Sequence, residues 1–281
     1  MTVPATPPHE TTTGLSSGGA MAARTRDFPW HTTPLGPESG WPQSLRSTVA
    51  TLLECQLPMY LAWGPQLTQF YNDAYAPILG AKHPGALGQS TPETWPEIWP
   101  TIGPMWQEVL AGKAIGFDDF KLTIERFGYP EDCYFNFSYS PVRDESGQVM
   151  GVLVTFAETT QRVLSERRLR FLDELSQRTR LLSDPSEIMQ ATAGMLGEYL
   201  GANRCAYAHV HADEDTFDLI GDYNRDVPSI VGRYRFTEFG AEVQRLMLLG
   251  EPYVNDNVDT HPATAGTDLS AYRATRIQAV I

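Results

Sequence analysis

The feature that most constrains this chain is an abrupt change of pattern near residue 158. Val149-Met150-Gly151-Val152-Leu153-Val154-Thr155-Phe156-Ala157 is an apolar, β-branched run of strand length, entered through the polar turn Arg143-Asp144-Glu145-Ser146-Gly147-Gln148. Immediately after Glu158-Thr159-Thr160, the stretch from Gln161 to Leu175 is dense in charge and in strong helix formers. A sheet's closing strand thus hands over to a charged amphipathic helix. Such a helix is a mechanical output, and the pattern implies a sensor that passes a signal along the chain rather than an enzyme.

At 281 residues the chain is long enough for two ordinary domains. Its net charge of −13, from 34 acids against 21 bases, argues against a nucleic-acid partner, which needs a basic face. No run approaches the roughly 18 apolar residues of a membrane span, and the N-terminus lacks the basic-then-apolar pattern of a secretory signal. Cys55, Cys133 and Cys205 are odd in number and far apart, as expected of reduced, mostly buried thiols in a cytoplasmic protein.

Residues 1–27 have no aromatic side chain and read as a disordered tail. Residues 28–58 are a lead-in, with Phe28, Trp30 and Trp41 as anchors and a helix from Ser44 to Cys55 presenting Leu45, Val49, Leu52 and Leu53 on one face. Met59–Trp63 and Leu67–Tyr71 read as a hairpin. Asn72 reads as the N-cap of a short helix to Leu79. A Gly- and Pro-rich stretch follows, then a helix from Ile102 to Ala111 with Met105, Trp106, Val109 and Leu110 inward. Strands at 115–127, 132–142 and 149–157 complete five.

Past the charged helix, Ser183-Asp184-Pro185 starts another helix to about Leu200, closed by Gly201. Arg204–Ala212 and Thr216–Tyr223 read as a hairpin, Gly240–Leu249 and Leu269–Thr275 as helices, and Ile277–Ile281 as the start of a strand.

These residues carry a resemblance. Tyr71-Asn72-Asp73-Ala74-Tyr75, Ser138-Tyr139-Ser140-Pro141-Val142-Arg143 and Glu158-Thr159-Thr160 are similar to PAS domains, whose closing signature is an acid, Ile or Val, and Thr; here the acid is longer and the middle residue is Thr. Asn203-Arg204-Cys205-Ala206-Tyr207 and Tyr272-Arg273-Ala274-Thr275-Arg276-Ile277-Gln278-Ala279-Val280 resemble a GAF domain that is incomplete at its C-terminus. The resemblance implies an α+β fold: a PAS-like five-stranded antiparallel sheet with helices (59–160), a signalling helix (161–183) and a partial GAF-like α/β sandwich (184–281).

The face of Cys133-Tyr134-Phe135-Asn136-Phe137-Ser138-Tyr139 bearing Phe135, Phe137 and Tyr139 is either an ordinary core or the wall of a ligand pocket shared with Trp63, Tyr71 and Trp106. Cys133 lacks the Asn-Cys-Arg-Phe context of flavin photoreceptors, and His83 sits in a polar loop unsuited to haem ligation. His209 and His211 read as a solvated strand surface, with a metal edge beside Asp213 or Asp215 as the alternative. The bilin and cyclic-nucleotide signatures of GAF domains are not found. The expectation is no cofactor, no metal and no catalytic residue in these 281 residues. Phe156, Glu158, Thr160, Leu164, Leu172 and Leu175 are the candidate signal relay. Leu164, Arg168, Leu172, Leu175, Thr179 and Leu182 approximate a heptad seam, which implies a parallel homodimer; the alternative is a helix docked on its own domain.

The resemblance implies a sensory input region of a bacterial, cytoplasmic two-component histidine kinase. Its partners would be a second copy, a downstream kinase or other output domain, and an unidentified small molecule, with neither nucleic acid nor membrane. The alternatives are an input region of a PP2C-type phosphatase or a cyclic-di-GMP enzyme, or a stand-alone interaction module.

Overall fold

The computed structural model describes residues 19–281. The expected disordered tail is corrected at its C-terminal end. Ala20–Asp27 form a helix (α1) whose Met21, Ala22 and Thr25 are buried, while residues 1–18 lie outside the described residues. Composition missed this helix because the side chains it docks through include no aromatic. Asp73 Oδ1 accepts the Met21 N–H at 3.0 Å, satisfying one of the donors that a helix start leaves free.

Helix α2 (Gln43–Glu54) buries the expected stripe of Leu45, Val49, Leu52 and Leu53. Its second residue, Ser44, is capped from afar by the Glu145 carboxylate, which accepts the Ser44 N–H at 2.8 Å. Strands β1 (Met59–Trp63), β2 (Thr68–Tyr71), β3 (Ile115–Ile124), β4 (Glu131–Arg143) and β5 (Val149–Glu158) form one antiparallel sheet in the order β2-β1-β5-β4-β3. Between β2 and β3 lie α3 (Ala76–Leu79), α4 (Thr91–Thr94) and α5 (Trp99–Leu110).

Strand alternation divides the sheet's side chains between two layers. On one face, Phe70 stacks on Trp30 with centroids 4.6 Å apart and meets Trp41 edge-on, so the lead-in covers β1 and β2. The other face carries Tyr60, Phe135, Phe137, Tyr139 and Val154 towards the helices. In α5 it is Ile102, Gly103, Trp106 and Val109 that are buried; Met105 is half-buried and Leu110 exposed, because the inward stripe lies one residue earlier than expected.

Tyr75 takes the N-cap position expected of Asn72, and Asn72 instead braces the loop before the helix. Its Oδ1 accepts the Met59 and Tyr75 N–H groups and its Nδ2 donates to the Cys55 and Leu57 carbonyls, which ties the lead-in to the β1–β2 hairpin. The helix itself begins only at Ala76.

Helix α6 (Thr160–Thr179) leaves β5 directly, and the chain divides into two compact units within it, between Ser165 and Glu166. In the second unit, α7 (Pro185–Leu200) starts with Asp184 accepting the Ser186 N–H at 2.7 Å and ends in a left-handed Gly201. It packs on a sheet of β6 (Arg204–Val210), β7 (Thr216–Asn224) and β8 (Gly232–Arg235). At Gly197 a β-carbon would lie 2.2 Å from the Tyr223 ring, so glycine is what permits this approach. Helices α8 (Ala241–Leu249) and α9 (Ser270–Thr275) close a small core of Phe217, Phe236, Phe239, Val243, Tyr253 and Tyr272. The strand expected at Ile277–Ile281 is instead a single bridge, Val280 to Asn255. β8 was not foreseen, because Gly232-Arg233-Tyr234-Arg235 offers no apolar run.

Candidate functional site

Between the sheet's inner face and α3–α5 lies a cavity of about 30 Å³, room for one or two waters. Its polar wall is phenolic and indolic, from Tyr60, Tyr75, Tyr139, Trp95 and Trp106, with the one aliphatic hydroxyl of Thr91. The apolar wall comes from Ile78 of α3, Ile98 just before α5 and Ile102 of α5, and from Leu122, Ile124, Phe135, Val154 and Phe156 of the sheet.

The polar groups are held by burial and by one another. Tyr60 donates to Gln69 Oε1 at 2.7 Å and contacts the Thr91 hydroxyl, and buried Gln69 donates onward to Ala86 O and Thr94 Oγ1. Burial pushes the Tyr60, Tyr75 and Tyr139 phenols well above their ordinary value, so all three are neutral across the physiological range. The Trp106 indole counters the rise at Tyr139 but does not reach hydrogen-bond geometry, which leaves its buried Nε1–H without a partner among the described residues.

Of the residues expected at a pocket, Trp106, Phe135 and Tyr139 line this cavity; Trp63, Tyr71 and Phe137 do not. Trp63 lies three residues after Tyr60 and therefore on the opposite face, where its ring covers Gly151. Tyr71 shares the face of Tyr60 but sits at the edge strand, its hydroxyl 3.0 Å from His83 Nδ1. Burial pushes that phenol up to about 12. Phe137 stands one step further along, stacked on Phe156 with centroids 5.5 Å apart. Phe156, expected only as a relay residue, is itself part of the cavity wall.

Two residues beyond Phe156, the strand reaches a polar clasp. Arg126, two residues past the end of β3, donates to both Glu158 oxygens, at 2.9 and 3.2 Å, and to Glu131. Hydrogen bonding to Glu158 raises the guanidinium's pKa further. Burial works to raise the Glu158 carboxyl, but Arg126 and Thr160 outweigh it and hold the group below its usual value. Thr160 has a structural task as well: its hydroxyl accepts the Tyr134 N–H at 3.0 Å, while the Thr159 N–H donates to Tyr134 O at 2.8 Å. The ladder between β4 and β5 thus continues, through a side chain, into the first residue of α6.

A second tie comes from a bulge in β3. Phe117 and Phe120 both pair with inward residues of β4, which forces the intervening Asp119 into the left-handed region at φ 49°. Asp119 accepts hydrogen bonds from Thr159, at 2.7 Å, and from Arg162; those two partners hold its carboxyl below the ordinary range. Arg126 and Asp119 escaped sequence reasoning because Glu158, Thr159 and Arg162, which they tie down, lie more than thirty residues away. The lengthened acid at Glu158 was the signal that a distant cation had to be found.

Beyond the clasp, Val163 is buried, Leu164, Leu169 and Leu172 are exposed, and Leu175, Thr179 and Leu182 are half-buried. In the second unit Phe171 stacks on Tyr199 of α7, with centroids 4.3 Å apart. Just past β6, His211 pairs with Asp218 at 2.9 Å, and Asp218 also accepts from Arg233. Among the described residues no group of three or more His, Cys, Asp or Glu is placed to hold a metal ion, and no helix is long and apolar enough to cross a membrane.

A five-stranded antiparallel sheet in the order β2-β1-β5-β4-β3, helices enclosing a cavity on one face, and an exit helix on the last strand define a sensory module. Residues 62–164 match the family model of the PAS fold and form a PAS domain. Similar solved structures include an RNA-binding light-oxygen-voltage receptor (19% identity over 53% of this chain and 43% of that chain, TM-score 0.35). The PAS domain of Bordetella pertussis BvgS is 18% identical over 46% of this chain and 96% of its own, with a TM-score of 0.35. A sensory box sensor histidine kinase from Vibrio cholerae is 14% identical over 41% and 86%, with a TM-score of 0.29. The chain spans less than half of the light-oxygen-voltage receptor it matches. No curated protein sequence matches the chain.

Proposed function

We propose that residues 19–281 are the sensory input region of a cytoplasmic two-component histidine kinase, in which the PAS domain passes its state through α6 to a GAF-like second unit and an output domain. One observation carries the reading: Phe156 is at once a wall of the cavity and the neighbour, two residues away, of the carboxylate that clasps the exit helix. A change in the cavity that favours one position of Phe156 shifts the population of α6 arrangements through Glu158, Thr160 and Arg126. The GAF-like assignment rests on α7 packed on an antiparallel sheet and on the quoted sequence resemblance. The apolar residues left open on α6, Leu164, Leu169 and Leu172, support pairing with a second copy.

The test is a chimera of residues 1–281 joined to a histidine-kinase catalytic core, with autophosphorylation as the readout. One residue inserted after Leu175 rotates everything downstream by about 100°, and seven roughly restore the phase. One residue is expected to abolish or invert regulation and seven to preserve it; indifference to both defeats the reading.

A further inference from the structure

We propose that Glu97 and Lys82 form a conformational lock on the exit helix: closed, it holds the backbone from which Arg126 clasps Glu158, and opening it loosens that clasp. The inference rests on the sensory reading above and adds a second route to α6, one that does not pass through Phe156.

The need for a lock follows from where Arg126 stands. The ladder between β3 and β4 ends at the pair Ile124 and Glu131, so no strand pairing reaches Glu125 or Arg126. Their backbone is held from the helical side instead. Glu97, between α4 and α5, accepts the Glu125 N–H at 3.0 Å, and the Ala81 N–H donates to Arg126 O at 2.8 Å. Ala81 lies in the single 3₁₀ turn Gly80–Lys82 that follows α3. Gly80 permits the approach: its φ is 54°, and a β-carbon there would lie 2.6 Å from Arg126 O. A guanidinium whose backbone drifts loses the two-oxygen fit on which its bond to a carboxylate depends.

Lys82 sets the acceptor in place. Its Nζ is 2.5 Å from the same Glu97 oxygen that takes the Glu125 N–H. The two side chains are only 22% and 16% exposed, so solvent and salt screen this pair less than one at the surface. The ammonium also stands 4.0 Å over the Trp95 ring, and Trp95 is a wall of the cavity. A shift of Trp95 displaces Lys82, then Glu97, and reaches Arg126 without involving Phe156.

The experiment measures hydrogen exchange at Val163–Glu166 in the 281-residue protein, with the β1 amides as the internal record of a folded sheet. Glu97→Ala removes both the acceptor and the ion pair and should lower protection at α6 roughly three- to tenfold. Lys82→Met, which keeps the stem, and Glu97→Gln, which keeps an acceptor oxygen, should each show a smaller fall. Where β1 itself loses protection in Glu97→Ala, Lys82→Met is read in its place. Asp132→Asn breaks the ion pair to Lys121 across β3 and β4 and should leave α6 unchanged. In Arg126→Met the lock has nothing left to hold, so adding Glu97→Ala should cause no further fall; a general loosening of the fold would add its full effect. No change in Glu97→Ala, the same fall in Asp132→Asn, or full additivity with Arg126→Met would each overturn the proposal. None of these results touches the sensory reading, which the one- and seven-residue insertions judge.

Discussion

Removing the Arg126 guanidinium should release the start of the exit helix while leaving the sheet folded. In Arg126→Met the aliphatic stem is kept, but both bonds to Glu158 and those to Glu131 are lost. The Arg126 side chain is 14% exposed and that of Glu158 30%, so the pair is neither a surface bridge nor fully buried. Charge-assisted bonds of this kind contribute about 1.5–3 kcal/mol, against 0–1 kcal/mol or so for an exposed pair. The expected local loss is therefore about 1–2 kcal/mol, a roughly five- to thirtyfold fall in hydrogen-exchange protection for the amides of Val163 to Glu166. Amides of β1 and β5, whose bonds are untouched, should keep theirs. Glu158→Gln should show part of the same fall, and the double variant should be less than additive because the partners are shared. Unchanged protection in Arg126→Met would refute the reasoning, since Val163 and Asp119 would then suffice to hold the helix.

Three further outcomes follow from the geometry. Thr160→Val should cost about 1–3 kcal/mol in urea unfolding, because it leaves the buried Tyr134 N–H without its acceptor. Gly151→Ala should destabilise by about 1–3 kcal/mol, since a β-carbon there would lie 2.7 Å from the Trp63 ring and 2.8 Å from Ala62 O. The carboxyls of Glu158 and Asp119 both titrate below their unfolded-state values, so the clasp's contribution is complete above about pH 5 and is lost as pH falls through the lowered folded values. Exchange at α6, corrected for intrinsic rates, should be flat from neutral to mildly acidic pH and rise only in stronger acid.

The strand-to-helix handover was legible because Val149–Ala157 and Gln161–Leu175 differ so sharply in composition, and α6 and β5 lie where that contrast put them. The five-strand sheet was legible too, since each strand carries its own turn signals. The pocket was only half legible. Alternation along β4 told which of its side chains share a face, but it did not tell which face of β1 joins them; Trp63 was placed inside although register sets it opposite. The bulge at Asp119, which turns two successive phenylalanines inward, breaks the period-2 rule and has no sequence signature of its own. Helix α1 was hidden because its short run of Met21, Ala22 and Thr25 shows no apolar period, and only the fold supplies the surface they fit.

The central claim is that the cavity, rather than general stability, governs the start of α6. It is tested most directly by comparing two core deletions of similar size. Ile102→Ala enlarges the cavity from the α5 side, and Leu45→Ala removes a buried side chain of α2, away from it. Both should lower global stability by about 2–5 kcal/mol. With exchange at Val163–Glu166 measured under conditions where both variants remain folded, the account predicts that Ile102→Ala changes protection there by about tenfold and Leu45→Ala does not. Equal changes in the two variants, or none in Ile102→Ala, would contradict it.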